Sequence, residues 1–419
     1  MPGIDPFSLI LGLTFGVLIA FLTPKLISVL PKKEKKSRKE DKQTREESLN
    51  DLTLRKYLLR HAQSQHLGSD LCSLDDVYVQ QKLFPHPVYS HYEGELEEEP
   101  LFFRDPLFLL DVPELIGDFP FPQITLEQAL STGCSLIIQG NIGSGKTTLL
   151  SAFISRVLEH KCEMTELNEV LPVYLHIQDV LRKDSPNPLA GLLALTMFKH
   201  GLDLNPAATE RLINTYLSRQ HLMLIIDGLD ELPQSDFDRA VEQIGKIHAE
   251  NPSMRMVTVS GPFYTGKLQA IGFRPVTLKP PDGPDYDQLY EKWALVWKKL
   301  HRSSPQEAEF DHAVELVRLW LQQEPFSPTY FTMTTSILSA LNHDSLAEDT
   351  KVITYLREKT NDLIPAETFV RIAESIASGS FAGISVPELK SLVNLKVDSH
   401  TDSADHKTEV DTYDLLIQN

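Results

Sequence analysis

From residue 124 to 281 the chain alternates short apolar runs with longer stretches whose apolar positions return every three or four residues. The short runs at 136–138, 171–177, 222–226, 254–259 and 275–278 have the density of buried parallel strands. Between them, Leu149, Leu150, Phe153, Ile154, Val157 and Leu158 predict one helix, 189–199 a second and 237–248 another. A further helix opens at Asn205, with Pro206 in its first position and Leu212, Ile213 and Leu217 on its apolar face. Strands alternating with helices predict an α/β fold, a parallel sheet with helices on both faces.

Past residue 282 the strand signals stop. Leu289, Trp293, Val296, Trp297 and Leu300 recur at helical spacing within 286–300, as core stripes rather than binding platforms. Helices at about 306–323, 330–342, 350–362 and 366–378 follow, so 282–365 is expected to be an α-helical lid. Upstream, 51–123 is a mixed pre-domain. Leu52, Leu54, Tyr57, Leu58 and Leu59 predict a helix, 77–79 a short extended piece and 93–99 an acidic loop. Prolines at 85, 87, 100, 106, 113, 120 and 122 exclude long regular elements there.

The N-terminal stretch follows other rules. Between Pro6 and Pro24 there is no charge, and adding Leu26 to Leu30 reaches the ~20 residues that a bilayer requires. Residues 6–30 are therefore expected to be a transmembrane helix; a signal peptide and a core helix are the other readings of such a stretch. Lys32, Lys33, Lys35, Lys36, Arg38 and Lys39 follow at once, so that flank is expected in the cytoplasm and the N-terminus outside the cell membrane. Gly12 and Gly16 have the spacing of a helix-dimer contact, so a homo-oligomer is an open expectation beside the lipid bilayer as partner. Residues 31–50 read as a charged tether or helical stalk.

Composition adds exclusions. A chain of 419 residues has room for two or three domains, and 42% hydrophobic with 23% charged residues is an ordinary globular balance, so most of it should fold. A net charge of −18 argues against a nucleic-acid groove. Cys72, Cys134 and Cys162 lie too far apart for a zinc or disulfide framework and fit a reducing compartment.

The chemistry is concentrated in two places. Gly140, Asn141, Ile142, Gly143, Ser144, Gly145, Lys146, Thr147 and Thr148 carry the pattern G-x-x-x-x-G-K-[ST] between a predicted strand and a predicted helix. Glycines let backbone N–H groups face a polyphosphate, and the helix N-terminus adds its positive dipole end. Lys146 is placed to reach the β/γ-phosphates and Thr147 to join a Mg²⁺ shell. ATP or ADP with Mg²⁺ are the cofactors this predicts. In the second place, the strand 222–226 runs into Asp227, Gly228, Leu229, Asp230 and Glu231. Asp227 is the candidate Mg²⁺ acid. Asp230 and Glu231 are candidates to orient or deprotonate a water, or else cap the next helix.

The loop paired with D-G-L-D-E-L resembles the NACHT family of signalling ATPases, within the STAND class, over about 75–390. That resemblance implies an ATP-dependent switch: ADP holds a closed form and exchange for ATP allows oligomerisation. It implies that a lid proline packs on the base, with Pro328 as the counterpart and Pro325 close by. It also implies that 366–419 is a partial winged helix, so that the chain is expected to stop inside that domain. Where the family carries T-S-R-P, with an Arg sensing the γ-phosphate, this chain has V-S-G-P and Gly261 stands at the Arg position. Loss of such a cation costs on the order of 10³ or more in hydrolysis unless another replaces it. A slow ATPase switch and a nucleotide-locked scaffold both remain readings, with 124–281 as the NTPase domain.

Overall fold

In the computed structural model, residues 45–86, 121–181, 188–261, 265–300, 328–341 and 369–372 are described. The core is a six-stranded sheet: β1 (Leu83–Pro85), β2 (Leu136–Gln139), β3 (Leu171–His176), β4 (Leu222–Asp227), β5 (Arg255–Ser260) and β6 (Arg274–Leu278), in the order β1-β6-β2-β5-β4-β3. Strands β2 to β6 are parallel, and their buried residues are apolar almost throughout because crossover helices cover them. All five strands read from the apolar runs are present, within two residues of the expected ends.

The expectation of a wholly parallel sheet needs correction, because β1 pairs antiparallel with β6, Leu83 opposite Leu278 and Pro85 opposite Val276. A three-residue edge strand ending in proline has no apolar period of its own, and only an edge tolerates the missing N–H. Of the short helices that were unforeseen, two change an expected extended segment. Leu74–Val77 replaces the extended piece expected at 77–79; Ser73 caps it, its N–H and hydroxyl both donating to Asp76 Oδ2 at 3.2 and 2.7 Å. Ile177–Leu181 follows β3 directly and cuts that run at His176.

The predicted helices appear as Lys146–Leu158, Leu189–Lys199, Pro206–Ser218 and Gln234–Glu250. Asn205 caps the third of these, its Oδ1 accepting from Ala207 N at 2.9 Å. Upstream, one helix covers 45–63, so the end of the expected tether is helical and continuous with the pre-domain. Leu54, Leu58 and Ala62 on that helix are buried in the sheet core. A second apolar cluster lies apart from the first. Val77 and Val79 meet Leu289, Trp293 and Val296 of helix Gly283–Leu300, and Met333 and Ile337 of helix Tyr330–Leu341.

Among the described residues no helix is long and apolar enough to cross a membrane. The stretch 6–30 expected to do so lies outside them, as do the expected helices 306–323 and 350–362 and all of the expected winged helix except a helical 369–372.

Candidate functional site

From β2 the chain runs to β3 at one edge of the sheet, then returns through β4 and β5 and passes β2 to reach β6; the connections after β2 and β5 therefore head opposite ways, and the switch point lies beside β2. Ligands bind in the crevice outside the carboxyl ends of such strands. The phosphate loop leaves that end of β2. Gly145 stands at φ +89° as the N-cap of helix Lys146–Leu158, a left-handed conformation costly for residues with a Cβ. A Cβ there would also collide with Gln81 Nε2.

Lys146 is 7% exposed, so its charge needs partners. Its Nζ donates to the carbonyl oxygens of Gly140 at 2.9 Å and Asn141 at 2.8 Å, and pairs with Asp230 Oδ2 at 2.9 Å. Three acceptors match the three ammonium protons. The two motifs, more than 80 residues apart, are thus joined by a buried ion pair.

Asp227, the last residue of β4, is 4% exposed. The Thr147 hydroxyl hydrogen-bonds to it. Tyr174 donates to its Oδ2 at 3.1 Å, and the Gly228 N–H to its Oδ1 at 2.9 Å. Burial above all, with Asp230 and Glu231 adding like charge, pushes the Asp227 carboxyl above its ordinary value. A divalent cation would remove that penalty. Among the described residues no group of three or more His, Cys, Asp or Glu could hold a metal. Mg²⁺ needs none, since it is held by one or two protein oxygens with phosphates and waters supplying the rest. Thr147 and Asp227 fit that pattern.

Glu231 faces outward, its side chain 62% exposed, with Oε2 3.4 Å from His176 Nε2. The Gln178 N–H donates to His176 Nδ1 at 3.3 Å, so Nε2 carries the proton toward Glu231. The hydrogen bond from His176 holds the Glu231 carboxyl below its ordinary value. His176 ends β3 directly opposite Asp227 in register, which is how it reaches the acidic motif. Gly228, at φ +83°, is required here too, because a Cβ would run into the His176 ring.

These groups line one wall of a cavity of about 600 Å³, within the range of small-molecule sites. Ile142, Gly143, Gly145, Lys146, Thr147, Thr148, Asp227, Asp230 and Glu231 all face it; Gly140, Asn141 and Ser144 support the loop without lining it. Pro328 is buried but does not line the cavity. Its carbonyl accepts from Tyr286 Oη at 3.0 Å, while Tyr330, Phe331 and Thr334 of the adjoining helix supply that wall. The remaining wall comes from the pre-domain, with His66, Leu67, Leu74, Tyr78 and Gln81, and from Trp293, which is both a core residue and a wall. Gln81 Nε2 donates to Ser144 O at 3.1 Å and the Phe331 N–H to Gly143 O at 3.0 Å, so pre-domain and lid both grip the loop.

Sequence reasoning missed His176, Tyr174, Gln81 and His66. A polar residue ending a strand beside the acidic motif was the available sign for His176. The other three carry none. Gly261 lies at the carboxyl end of β5, where a Cβ would stand 3.9 Å from Asp230 Cβ. Neither basic residue near it in sequence fills the missing position. Arg255 begins β5, at the opposite end of that strand, and Lys267 is bonded to Asp238.

A mostly parallel sheet whose switch-point strand ends in a phosphate loop, with a buried acid closing β4, defines a P-loop NTPase. Residues 135–254 match the profile of the NACHT domain family, and this part of the chain is a NACHT P-loop NTPase domain. Among solved structures the chain is similar to the Aeropyrum pernix ORC1 protein in complex with DNA, at 14% identity and a TM-score of 0.33, over 70% of this chain and 80% of that one. It is also similar to S. cerevisiae Hsp104 in its casein complex, at 13% identity and a TM-score of 0.32, over 62% of this chain and 48% of that one. At those scores the class rests on the topology and the loop. No curated protein matches the chain.

Proposed function

We propose that the chain is an ATP-binding signalling switch with slow hydrolysis, held at the cell membrane by residues 6–30 with its NTPase body in the cytoplasm. The observation that carries the switch reading is the pair between Lys146 and Asp230 at 2.9 Å. Every proton of the Lys146 ammonium already has a protein partner, so polyphosphate binding must re-partner it. Asp230 is the partner whose negative charge a phosphate replaces. Nucleotide binding therefore releases an acid at the carboxyl ends of β4 and β5 and couples occupancy to the arrangement there.

Bound Mg²⁺ would neutralise phosphate charge; Thr147 and Asp227 are the residues placed to hold it. Glu231 has the exposure and the ionised state of a general base for water, and Asp230 has the charge to orient one. The resemblance to a family of ATP-controlled assemblies supports a homo-oligomer as the output.

A second reading, a nucleotide-locked scaffold with negligible turnover, is favoured by Gly261. Lys146 is the single Lys or Arg among the described residues lining the cavity. The two readings part in single-turnover hydrolysis with nucleotide binding measured alongside. Under the switch reading Glu231→Gln binds ATP as the parent does and hydrolyses it at least 10-fold more slowly, whereas Asp227→Asn loses Mg²⁺-dependent affinity. A parent rate no faster than that of Glu231→Gln would leave the scaffold reading standing.

A further inference from the structure

We infer that helix 45–63 supports the metal site: Tyr174 fixes the Asp227 carboxylate, His61 of that helix fixes Tyr174, and Mg²⁺ binding and helix docking therefore strengthen each other. The inference rests on the nucleotide reading above and adds to it a positioning residue and the element behind that residue.

An aspartate turns easily about its last torsion, whose preference is broad. A metal acid with that freedom points its oxygens away from the cation for part of the time. Asp227 has a donor on each oxygen: the Gly228 N–H on Oδ1 at 2.9 Å and the Tyr174 hydroxyl on Oδ2 at 3.1 Å. The first belongs to the next residue and moves with the carboxylate. The second comes from β3 and ties the carboxylate to a neighbouring strand. Tyr174 lies opposite Ile225 in the parallel register, so it shares a sheet face with Asp227 two residues further on. An ionised carboxylate accepts at about four places, so these two bonds leave room for the Thr147 hydroxyl and a hydrated cation.

The half-buried Tyr174 ring has its own support on helix 45–63. His61 meets it with ring centroids 5.4 Å apart and planes tilted by 59°, within the range that aromatic pairs prefer. Tyr57, one turn earlier on the same helix face, stacks on His61 at 6.0 Å and 8°. Leu54, Leu58 and Ala62 bury the helix in the sheet core. Tyr216 fastens its earlier turns, accepting from Arg55 Nη2 at 3.0 Å and donating to Asp51 Oδ1 at 2.5 Å. Contacts therefore run without a gap from the helix through His61 and Tyr174 to Asp227. A displaced helix frees the carboxylate, and by linkage a cation that holds the carboxylate favours the docked helix to the same degree. In the sequence this helix stands directly after the charged stretch read as a tether, the end of the chain where an external load would enter.

The test measures ATP binding to the full chain by calorimetry, in EDTA and across a Mg²⁺ titration. Tyr174→Phe keeps the ring against His61 and deletes the hydroxyl. It should raise the half-saturating Mg²⁺ concentration about 10-fold, as loss of a partner behind a metal ligand does, with ATP affinity in EDTA within about 2-fold of the parent. His61→Leu should raise the same concentration about 3-fold in the parent background and not at all beside Tyr174→Phe, because its effect travels through that hydroxyl. Mg²⁺ added to the ATP complex should slow amide hydrogen exchange in residues 54–62 several-fold in the parent and leave it unchanged in Tyr174→Phe. An unchanged Mg²⁺ requirement in Tyr174→Phe would overturn this inference alone. So would a His61→Leu effect that is absent or adds in full to that of Tyr174→Phe, or Mg²⁺ protection of the helix that is missing from the parent or equal in both chains. Loss of ATP binding in EDTA by either variant would show a structural role and overturn it too. A parent that binds no ATP, or binds it without regard to Mg²⁺, would instead remove the nucleotide reading beneath it.

Discussion

The two walls of the cavity are built by opposite means. Nine consecutive residues, Gly140 to Thr148, supply the phosphate loop, and five more, Asp227 to Glu231, the acidic edge. The facing wall draws on 64–81, on Leu289 and Trp293, and on Tyr330, Phe331 and Thr334, segments scattered over more than 260 residues. A phosphate is met by backbone N–H groups and a helix end, which a short local motif can provide. A base is met by shape and by single side chains, and any part of the chain can bring those. Meeting a phosphate's charge needs one stretch; selecting the rest of a ligand needs the whole packing.

The largest effect should come from the motif wall. Lys146→Ala removes the cation and leaves Asp230 in a pocket that is 12% exposed without its partner. ATP affinity should fall by at least 10²-fold in titration calorimetry; an unchanged affinity would mean that the loop is not the phosphate site. Next is Gly228→Ala, which puts a Cβ at φ +83° and into His176. Strain of this kind costs about 1–3 kcal/mol, read as a lower midpoint in denaturant unfolding. An unaffected midpoint would show that β3 and the acidic motif can part freely.

Gln81→Ala tests the join between the walls. It removes the bond to Ser144 O, worth about 1 kcal/mol, and frees the loop from the pre-domain. ATP should bind several-fold more weakly and tripolyphosphate less affected; equal losses for both would place Gln81 with the phosphate wall instead.

The smallest effect concerns pH. Burial lowers the pKa of His66 and of His61, where the charge of His200 adds to it. A group whose folded pKa is depressed contributes stability above its unfolded value, about 6.5, and loses it as pH falls through the folded one. His176, raised by its bond to Glu231, contributes below that value and loses its share as pH rises. His66→Gln should therefore reduce the drop in Tm between pH 7 and pH 5. An identical acid limb in scanning calorimetry would show that His66 binds its proton equally in the folded and unfolded chain.

The sequence by itself determined the five parallel strands, the phosphate loop and the acid that ends β4. Each is a contiguous pattern whose physical cause is local: burial on both faces, a glycine at positive φ, a helix start. β1 escaped because Leu83–Pro85 becomes a strand only by pairing with β6. Pro328 was nominated for the cavity from a resemblance, but Tyr330 and Phe331 line it, since the turn before a helix and the first turn of that helix face different ways. Trp293 was legible as core and not as a wall, because one helical stripe cannot say which of its neighbours leaves a gap. Only the tertiary structure decided that Asp230 pairs with Lys146, that Glu231 answers to His176 and that His66 faces the same cavity as the loop. Those relations are set by which strand ends lie side by side and which segments close over them, and side-chain hydrogen bonds act over about 3 Å whatever the separation along the chain.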